Sequence, residues 1–245
     1  GLGDVYKRQV AGVQVINSGK AGAEPEIRVR GTNSINGYKP LYVVDGLFND
    51  NINFLNPQDI ESMEILKDPS SLAIFGVRGA NGVIIITTKK GNTDGVSRPS
   101  FSYSANVTVG NVYKKLDVLS ASEYREAFAK YANAPEAFKL GDVNTDWQDE
   151  MFQTGFLTNN TVSIMASGER SKFYLGLGYV MEEGSIQSEK LNKFTVNLHS
   201  EHKVTDFLRF GFQVNGVRAL YPDAKGVASA LKAAPIAPVY EQESG

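Results

Sequence analysis

The strongest constraint on the fold of this 245-residue chain is a period-two alternation of apolar and polar residues in its second half. In residues 101–109, FSYSANVTV, aromatic and aliphatic side chains alternate with serine, asparagine and threonine. The same alternation recurs in four further segments: 161–167, 172–182, 194–204 and 207–217. Because successive side chains of a β-strand point to opposite faces, each segment is predicted to be a strand with one apolar and one polar face.

The connections between these segments alternate between short and long. ASGERSK and VTDFL are short, whereas residues 110–159 and 182–193 form longer connections. Short turns at one end and long loops at the other are typical of an outer-membrane barrel, whose tilted strands need ~9–11 residues to span. The alternative is a soluble antiparallel sheet with one wet face.

The membrane hypothesis assigns each strand residue to lipid or to the barrel lumen. The residues predicted to face lipid are Leu175, Leu177, Leu198, Phe210 and Phe212. The residues predicted to face the lumen are Gly176, Asn197, Glu201 and Gln213.

The first part of the chain, residues 10–91, predicts a small α+β domain. Its predicted strands are VAGVQVI, IRVRG, PLYVVDG, SMEILKD and VIIITT. Asn56-Pro57 and Asp68-Pro69 have the residue types of a helix N-cap followed by proline at N1, and residues 47–60 are otherwise predicted to be a polar loop. Residues 92–98 have the composition of a linker. Residues 99–245 contain the alternating strands, and residues 1–9 match no pattern, as expected of a sequencing scar.

The long connection between the first two alternating segments predicts a helical insertion at about 117–153. Ser120 and Glu123 have the spacing of a capping box, and Tyr124, Phe128 and Tyr131 lie on one helical face. Trp147 could stack on a sugar or anchor the packing, and packing is the favoured interpretation.

Three glycines in DPSSLAIFGVRGANGVIIITT raise the question of a phosphate site. A phosphate-binding loop follows a strand and opens a helix, whereas Gly76, Gly79 and Gly82 follow a predicted helix and precede a strand. No Lys-Ser or Lys-Thr pair follows the last glycine. We therefore predict a tight turn that needs positive φ at several positions.

Composition argues against several classes of function. The formal net charge is −2, and the chain has two histidines and no cysteine. We therefore predict no nucleic-acid partner, no disulfide, no metal site, no cofactor and no catalytic residue.

Four motifs together resemble the SusC/RagA-type TonB-dependent transporters over residues 10 to about 220. They are IRVRGTNSING, PLYVVDG, DIESMEILKDPSSLAIFGVRGANGVIIITTKKG and NTDWQDEMFQTGF. The resemblance implies an α+β plug domain at 10–91, followed by an incomplete antiparallel transmembrane β-barrel, the first five strands of a plugged barrel of about 22. It also implies that the signal peptide, a carboxypeptidase-regulatory-like domain and the TonB box belong to parts of a longer protein.

The function implied by this resemblance is TonB-dependent import of a nutrient, a glycan oligosaccharide or a peptide, across the outer membrane. The implied partners are TonB, a SusD-like lipoprotein and outer-membrane lipid, in a Gram-negative, Bacteroidota-like cell. The alternatives are a soluble or surface-attached carbohydrate-binding or adhesive β-protein, and an enzyme, for which no motif sets a carboxylate pair apart.

Two sets of site residues follow from placing the motifs in a plug. The polar loop residues that could hydrogen-bond a substrate are Asn33, Ser34, Asn36, Tyr38, Asn49, Asp50 and Asn53. The charged residues expected to face a wet barrel wall are Arg28, Arg30, Glu61, Glu64, Lys67 and Arg78.

Overall fold

A computed structural model of the chain describes residues 39–91, 98–130, 143–221, 232–237 and 239. It also describes the backbone of residue 97 and of two short strands, β1 (Val13–Ile16) and β2 (Glu26–Val29). These two strands form an antiparallel pair in which Val13 lies opposite Val29. They coincide with two of the predicted strands.

A four-stranded sheet, called here the small sheet, occupies residues 41–88. It contains β3 (Leu41–Val44), β4 (Leu47–Asn49), β5 (Ile60–Leu66) and β6 (Val83–Thr88), in the order β4-β3-β6-β5. Strands β3 and β6 are parallel, and the other two pairs are antiparallel. The mixture of strands and short helices confirms the α+β prediction for this part.

The core of this part lies on both faces of β3 and β6. Tyr42, Val44, Ile84 and Ile86 pack with Ile52 and Leu55 on one face, and Leu41, Val43 and Val83 pack on the other. Burial on both faces explains why LYVV and VIII are continuous apolar runs without alternation.

A two-residue turn joins β3 to β4. Asp45 and Gly46 have φ of 49° and 86°, the left-handed pair that matches the twist of a tight hairpin. The prediction of an unbroken polar loop from residue 47 was wrong, because this turn brings Leu47 opposite Val44 and three residues pair before the loop begins.

The connection from β5 to β6 contains a short helix, α1 (Pro69–Leu72), and a 3-10 segment, Ala73–Gly79. The Asp68 side chain caps α1 by accepting from the Ser71 backbone N at 2.8 Å, as predicted. The helix is shorter than predicted, because the 3-10 segment begins at Ala73 and carries the chain through most of the expected loop.

The three glycines of this connection serve two different purposes. Gly76 and Gly82 have φ of 58° and 90°, so they supply the positive φ that was predicted. Gly79 does not, and a Cβ atom there would lie 2.9 Å from the Phe75 Cβ and 3.3 Å from Val83 Cγ2. Gly79 is therefore needed for space rather than for its backbone angle.

A five-stranded sheet, called here the large sheet, contains all five predicted alternating segments. Its strands are β7 (Ser97–Gly110), β8 (Gly155–Ser167), β9 (Ser171–Glu183), β10 (Lys190–Lys203) and β11 (Arg209–Leu220). Each strand pairs with the next along the chain, and β10 and β11 are antiparallel, with Asn197 opposite Asn215. Within the described residues, β7 and β11 are the free edges of this sheet.

The strands are longer than predicted, which shortens the connections. The connections 184–189 and 204–208 have similar lengths. The predicted difference between long and short connections is therefore seen only between the long connection 111–154 and the short connection 168–170. We call the end of the large sheet with connections 168–170 and 204–208 the turn end, and the other end the loop end.

Burial in the large sheet is the reverse of that in a soluble sheet. On β10, Thr195 and Asn197 are 2% and 3% exposed, whereas Phe194 and Val196 between and beside them are 55% and 40% exposed. The predicted lumen residues Gly176 and Asn197 are buried, and the predicted lipid residues Leu177, Phe210 and Phe212 are exposed. Leu175, Leu198, Glu201 and Gln213 are partly buried.

A second unit contains residues 109–156, 183–189 and those from 222 onward. Its helices are α2 (Ala121–Ala129) and α3 (Trp147–Met151). The Ser120–Glu123 capping box is present, and the Tyr124 and Phe128 rings stack at 4.8 Å, whereas Tyr131 lies outside the described residues. The Trp147 indole donates to the Ala234 carbonyl at 3.0 Å, a contact typical of a packing anchor. No helix in the described part of the chain is long and apolar enough to cross a membrane.

Candidate functional site

The polar face of the large sheet is covered by polar groups of the small sheet and its loops, and this interface is the candidate functional site. Its first part is the Asp45 cluster, which comprises Asp45, Thr88, Lys90 and Gln213. Asp45 accepts from the Thr88 backbone N at 3.0 Å and from Thr88 Oγ1 at 2.6 Å. Gln213 Nε2 on β11 donates to Asp45 Oδ2 at 2.6 Å, and Lys90 Nζ lies 3.2 Å from Oδ1. One side chain thus joins the two sheets.

The surroundings of Asp45 keep its carboxylate ionised. The side chain is 2% exposed, and burial alone would raise its pKa. The hydrogen bonds from Thr88 and Gln213 and the charge of Lys90 outweigh burial, so the pKa of Asp45 lies below its usual value of 3.8. The cluster is therefore a buried anion whose acceptor positions are filled.

The second part is the docking turn, Asn56–Asp59, in which Pro57–Asp59 form a single 3-10 turn. Asn56 Oδ1 caps this turn by accepting from the Gln58 N at 3.1 Å, and Asn56 Nδ2 donates to Thr161 Oγ1 on β8 at 3.0 Å. Asp59 accepts from the Tyr174 hydroxyl on β9 at 2.7 Å. The Asn56 side chain therefore both caps the turn and binds it to the large sheet, and the Asp59 side chain provides a second contact with that sheet.

Asp59 differs from Asp45 in the balance of its electrostatic environment. Burial raises the pKa of Asp59 above 3.8, although the Tyr174 hydrogen bond and the charge of Lys89 act in the opposite direction. Fewer donors reach this carboxylate than reach Asp45, so desolvation dominates.

Two glycines on β9 make room for the docking turn. A Cβ atom at Gly178 would overlap the Asn56 amide and the Thr195 hydroxyl, and one at Gly176 would overlap the Asp59 carboxylate. Neither glycine has a left-handed φ, so close approach is the reason for glycine at both positions.

The third part is an inward-facing row on β10, which comprises Thr195, Asn197 and His199. Their side-chain N and O atoms are buried and have no hydrogen-bond partner within the described residues. Four residues before Asn197, Lys193 Nζ donates to the Asn53 carbonyl at 3.3 Å. Buried polar atoms need hydrogen-bond partners, so this row forms a face suited to water rather than to apolar side chains.

Some of the predicted substrate residues can be located. Asn49 donates to the Leu47 carbonyl at 2.9 Å, and the Asn53 carbonyl accepts from Lys193. Asp50, whose side chain is 93% exposed, lies 3.5 Å from the Arg78 guanidinium. Four others lie outside the described residues: Asn33, Ser34, Asn36 and Tyr38.

The four predicted wall-facing charges whose side chains are described make no contact with the large sheet among the described hydrogen bonds and ion pairs. Arg78 pairs with Asp50 and stacks 5.3 Å from the Phe48 ring centroid. Glu61, Glu64 and Lys67 are exposed. Arg28 is described only by its backbone, and Arg30 lies outside the described residues. Contact of these charges with a barrel wall stays a prediction.

Sequence reasoning missed the residues that do bridge the sheets, above all Asp45, Asn56 and Asp59. One of them, Asn56, had been assigned only a local role as an N-cap. The pair of glycines in YLGLGYV was the available signal, because glycine on the inward face of a strand indicates close approach of another group. Among the described residues, no group of three or more acidic, histidine or cysteine side chains could hold a metal ion.

Comparison with known proteins gives the class of the chain. Residues 1–83 match the family described as TonB-dependent Receptor Plug Domain. The chain is 37% identical over 259 residues to the TonB-dependent receptor SusC of Bacteroides thetaiotaomicron, covering 98% of this chain and 25% of SusC. It is also 37% identical over 217 residues to the TonB-dependent receptor P3 of Formosa agariphila, covering 86% of this chain and 21% of that relative.

Solved structures agree with these relatives. The fold matches the RagAB peptide importer in its open-open state with a TM-score of 0.75 and 25% identity, over 89% of this chain and 28% of that chain. The closed-closed state matches with the same TM-score and 26% identity, over 88% and 28%. The chain belongs to the TonB-dependent receptors, and within them it is similar to the SusC/RagA type.

The extent of these matches is also informative. The chain spans about a quarter of the length of the curated relatives. The relatives are receptors and an importer, which agrees with the prediction that the chain is not an enzyme. Its small-domain and sheet architecture is that of a plug domain with barrel strands of the RagA type.

Proposed function

We propose that this chain is the plug and the first five wall strands of an outer-membrane transporter that imports a nutrient by TonB-dependent active transport. The observation that carries the proposal is the reversed burial of the large sheet. Its apolar face is exposed, as a lipid-facing surface would be, and its polar face is covered by a small α+β domain. A soluble adhesive sheet would bury the apolar face instead.

In this proposal the small sheet, within a plug at residues 10–91, closes the lumen of a barrel of about 22 strands that begins at residue 99. TonB couples the proton-motive force of the inner membrane to the plug. The transporter lies in the outer membrane of a Gram-negative, Bacteroidota-like cell, with a SusD-like lipoprotein as its partner. The similarity to SusC and to RagAB, which is by name a peptide importer, supports this assignment.

The orientation of the small sheet supports a substrate role for residues 49–53. Asn53 contacts Lys193 near the loop end of β10, whereas Asp45 contacts Gln213, which lies opposite His199 toward the turn end. Long loops of outer-membrane barrels face outside the cell and short turns face the periplasm. Asn49, Asp50 and Asn53 therefore face the side from which a glycan oligosaccharide or a peptide arrives. The same substrate role is proposed for Asn33, Ser34, Asn36 and Tyr38, which lie outside the described residues.

The remaining charges of the plug have a role in the same proposal. Arg28, Arg30, Glu61, Glu64 and Lys67 face parts of the wall beyond these five strands, where a hydrated polar contact lets the plug move. Arg78, paired with Asp50, belongs to the outward-facing side.

Uptake by the full-length protein in cells with and without TonB tests this function. Labelled oligosaccharides and labelled peptides are offered separately, so that one experiment also distinguishes the two classes of cargo. We expect accumulation of one class only, and only in cells that contain TonB. Surface binding without accumulation in either strain would favour the adhesive alternative.

A further inference from the structure

Four inward-facing residues of β9 follow the order large, small, small, large. Tyr174, Gly176, Gly178 and Val180 alternate with outward-facing residues, and all four are buried. Tyr174 lies toward the turn end and Val180 toward the loop end of the strand. We call this row the notch, since the two glycines leave a gap that is bounded along the strand by two larger side chains.

The docking turn fills the gap of the notch. The Asn56 amide occupies the space in which a side chain at Gly178 would lie, and the Asp59 carboxylate occupies that of Gly176. Asn56 and Asp59 are both buried, at 0% and 1% exposure. The fit is therefore steric as well as polar.

The notch obstructs movement of the docking turn along β9 but not movement away from β9. Inward-facing residues two apart on a strand are spaced by about 7 Å. A shift of the docking turn by one such step toward the turn end would place the Asp59 carboxylate on the Tyr174 ring. Movement away from β9 meets no side chain of the notch and breaks the hydrogen bonds to Thr161 and Tyr174 and the 3.5 Å contact from Asn159 Nδ2 to Asn56 Oδ1.

We propose that the notch is an axial stop, which prevents the docking turn from sliding along β9 as a rigid body toward the turn end. The docking turn must leave β9 sideways, toward the lumen, before the plug can shift along the barrel axis. This inference rests on the proposed function for the direction of the pull, because TonB acts from the periplasm and the turn end faces that side.

Mechanical unfolding of the full-length protein in a lipid bilayer tests the stop without any cargo. The protein is pulled from a handle at its N-terminus toward the periplasmic face, and the rupture force of the docking turn is recorded. We expect Tyr174→Ala to lower this force strongly. Tyr174→Phe keeps the ring and removes the hydroxyl, so it should retain most of the force.

Val180→Ala is the matched control, because Val180 bounds the notch on the side away from the pull. It should leave the rupture force unchanged. The stop is wrong if Tyr174→Phe lowers the force as much as Tyr174→Ala, since the hydrogen bond would then be the cause. It is also wrong if Val180→Ala and Tyr174→Ala have equal effects.

A cross-link provides a second test that does not depend on the folding of Tyr174→Ala. The chain has no cysteine, so Asn56→Cys with Gly178→Cys places the only pair of thiols in these residues. Thr195→Ala in the same variant removes the hydroxyl that a Cβ atom at residue 178 would overlap. The disulfide should stop uptake, and reduction should restore it. Uptake that continues with the disulfide formed would overturn the sideways release. If the reduced form also fails to take up cargo while the pulling experiment still shows the axial stop, that result would count against the proposed function but not against the stop.

Discussion

Asp45 shows how a single side chain can join two sheets that are far apart in the sequence. Its left-handed backbone belongs to the hairpin, and its carboxylate accepts from Thr88 and Gln213. Asparagine also tolerates a positive φ, so Asp45→Asn changes the hydrogen bonding with little backbone strain. The new amide donor would face the donors of Thr88 and Gln213, and we expect a loss of about 1–3 kcal/mol in the free energy of unfolding.

Chemical unfolding of the full-length protein in detergent measures this loss. Asp50→Asn is the control, because Asp50 pairs with Arg78 on the exposed surface. Exposed ion pairs contribute about 0–1 kcal/mol, so the control should be close to wild type. An equal effect of the two substitutions would show that the Asp45 cluster does not hold the sheets together.

Asp59 and Asp45 should give opposite pH dependences. The pKa of Asp59 is raised, so the stability it contributes is present below pH 3.8 and is lost as the pH rises through its folded pKa. The pKa of Asp45 is lowered, so its contribution is present above pH 3.8 and is lost as the pH falls through its folded pKa. In Asp59→Asn, the free energy of unfolding should therefore decrease less steeply than in wild type as the pH rises above 3.8.

A pH series of unfolding free energies for wild type, Asp59→Asn and Asp45→Asn separates the two groups. Asp45→Asn should instead remove part of the loss in acid. The assignment fails if Asp59→Asn leaves the slope above pH 3.8 unchanged.

The glycines after α1 separate backbone strain from lack of space. A Cβ atom at Gly76 would have no neighbour within 4 Å, but alanine there would have to adopt a positive φ. A Cβ atom at Gly79 would be too close to Phe75 and Val83, although the φ of Gly79 is not positive. We expect Gly76→Ala to lower stability by about 1 kcal/mol or more through the backbone alone. Gly76→Asn should not recover that loss in the same unfolding assay, because ψ of −145° places Gly76 outside the left-handed helical region that asparagine tolerates. Addition of ATP should not raise the melting temperature of any variant, because these glycines form no phosphate site.

At the scale of strands, the environment of each face can be tested with neighbouring residues of β11. Phe212 faces outward and is exposed, and Gln213 faces inward beside Asp45. Phe212→Lys should cost about 2–4 kcal/mol if its site lies near the bilayer midplane. Gln213→Lys places an ammonium group next to a carboxylate and should be tolerated.

The amount of folded, heat-resistant protein in the outer-membrane fraction measures both lysine variants. Equal tolerance of the two lysines would favour a soluble sheet.

Elements that are determined by residues close together in the sequence could be predicted, whereas contacts between distant residues could not. Alternation located all five strands of the large sheet, and the caps at Asn56, Asp68 and Ser120 were found from their residue types. Strand β4 was missed because only three residues pair and two of them are exposed. The docking of Asn56 on Thr161 could not be predicted, because the two residues are 105 positions apart and neither one indicates the other.

At the scale of the whole molecule, the 245-residue chain should not be a monomer in plain buffer. Its large sheet has two free edges within the described residues and exposes apolar side chains such as Phe101 and Phe210. Free edges and apolar faces both promote association. Size-exclusion chromatography should show aggregates without detergent, and a defined species only in detergent or after the missing neighbours of the sheet are supplied. A monomer that melts cooperatively in buffer would contradict a membrane-facing sheet.

The notch also has a consequence for how such a sequence can diverge. Gly176 and Gly178 each make room for a side chain on a segment more than a hundred positions earlier in the chain, and Gly178 also makes room for Thr195 on β10. A larger residue at Gly176 requires a smaller one at Asp59, and a larger residue at Gly178 requires smaller ones at Asn56 and Thr195, so the order of substitutions is restricted. Substitutions in these two distant stretches are therefore expected to depend on each other.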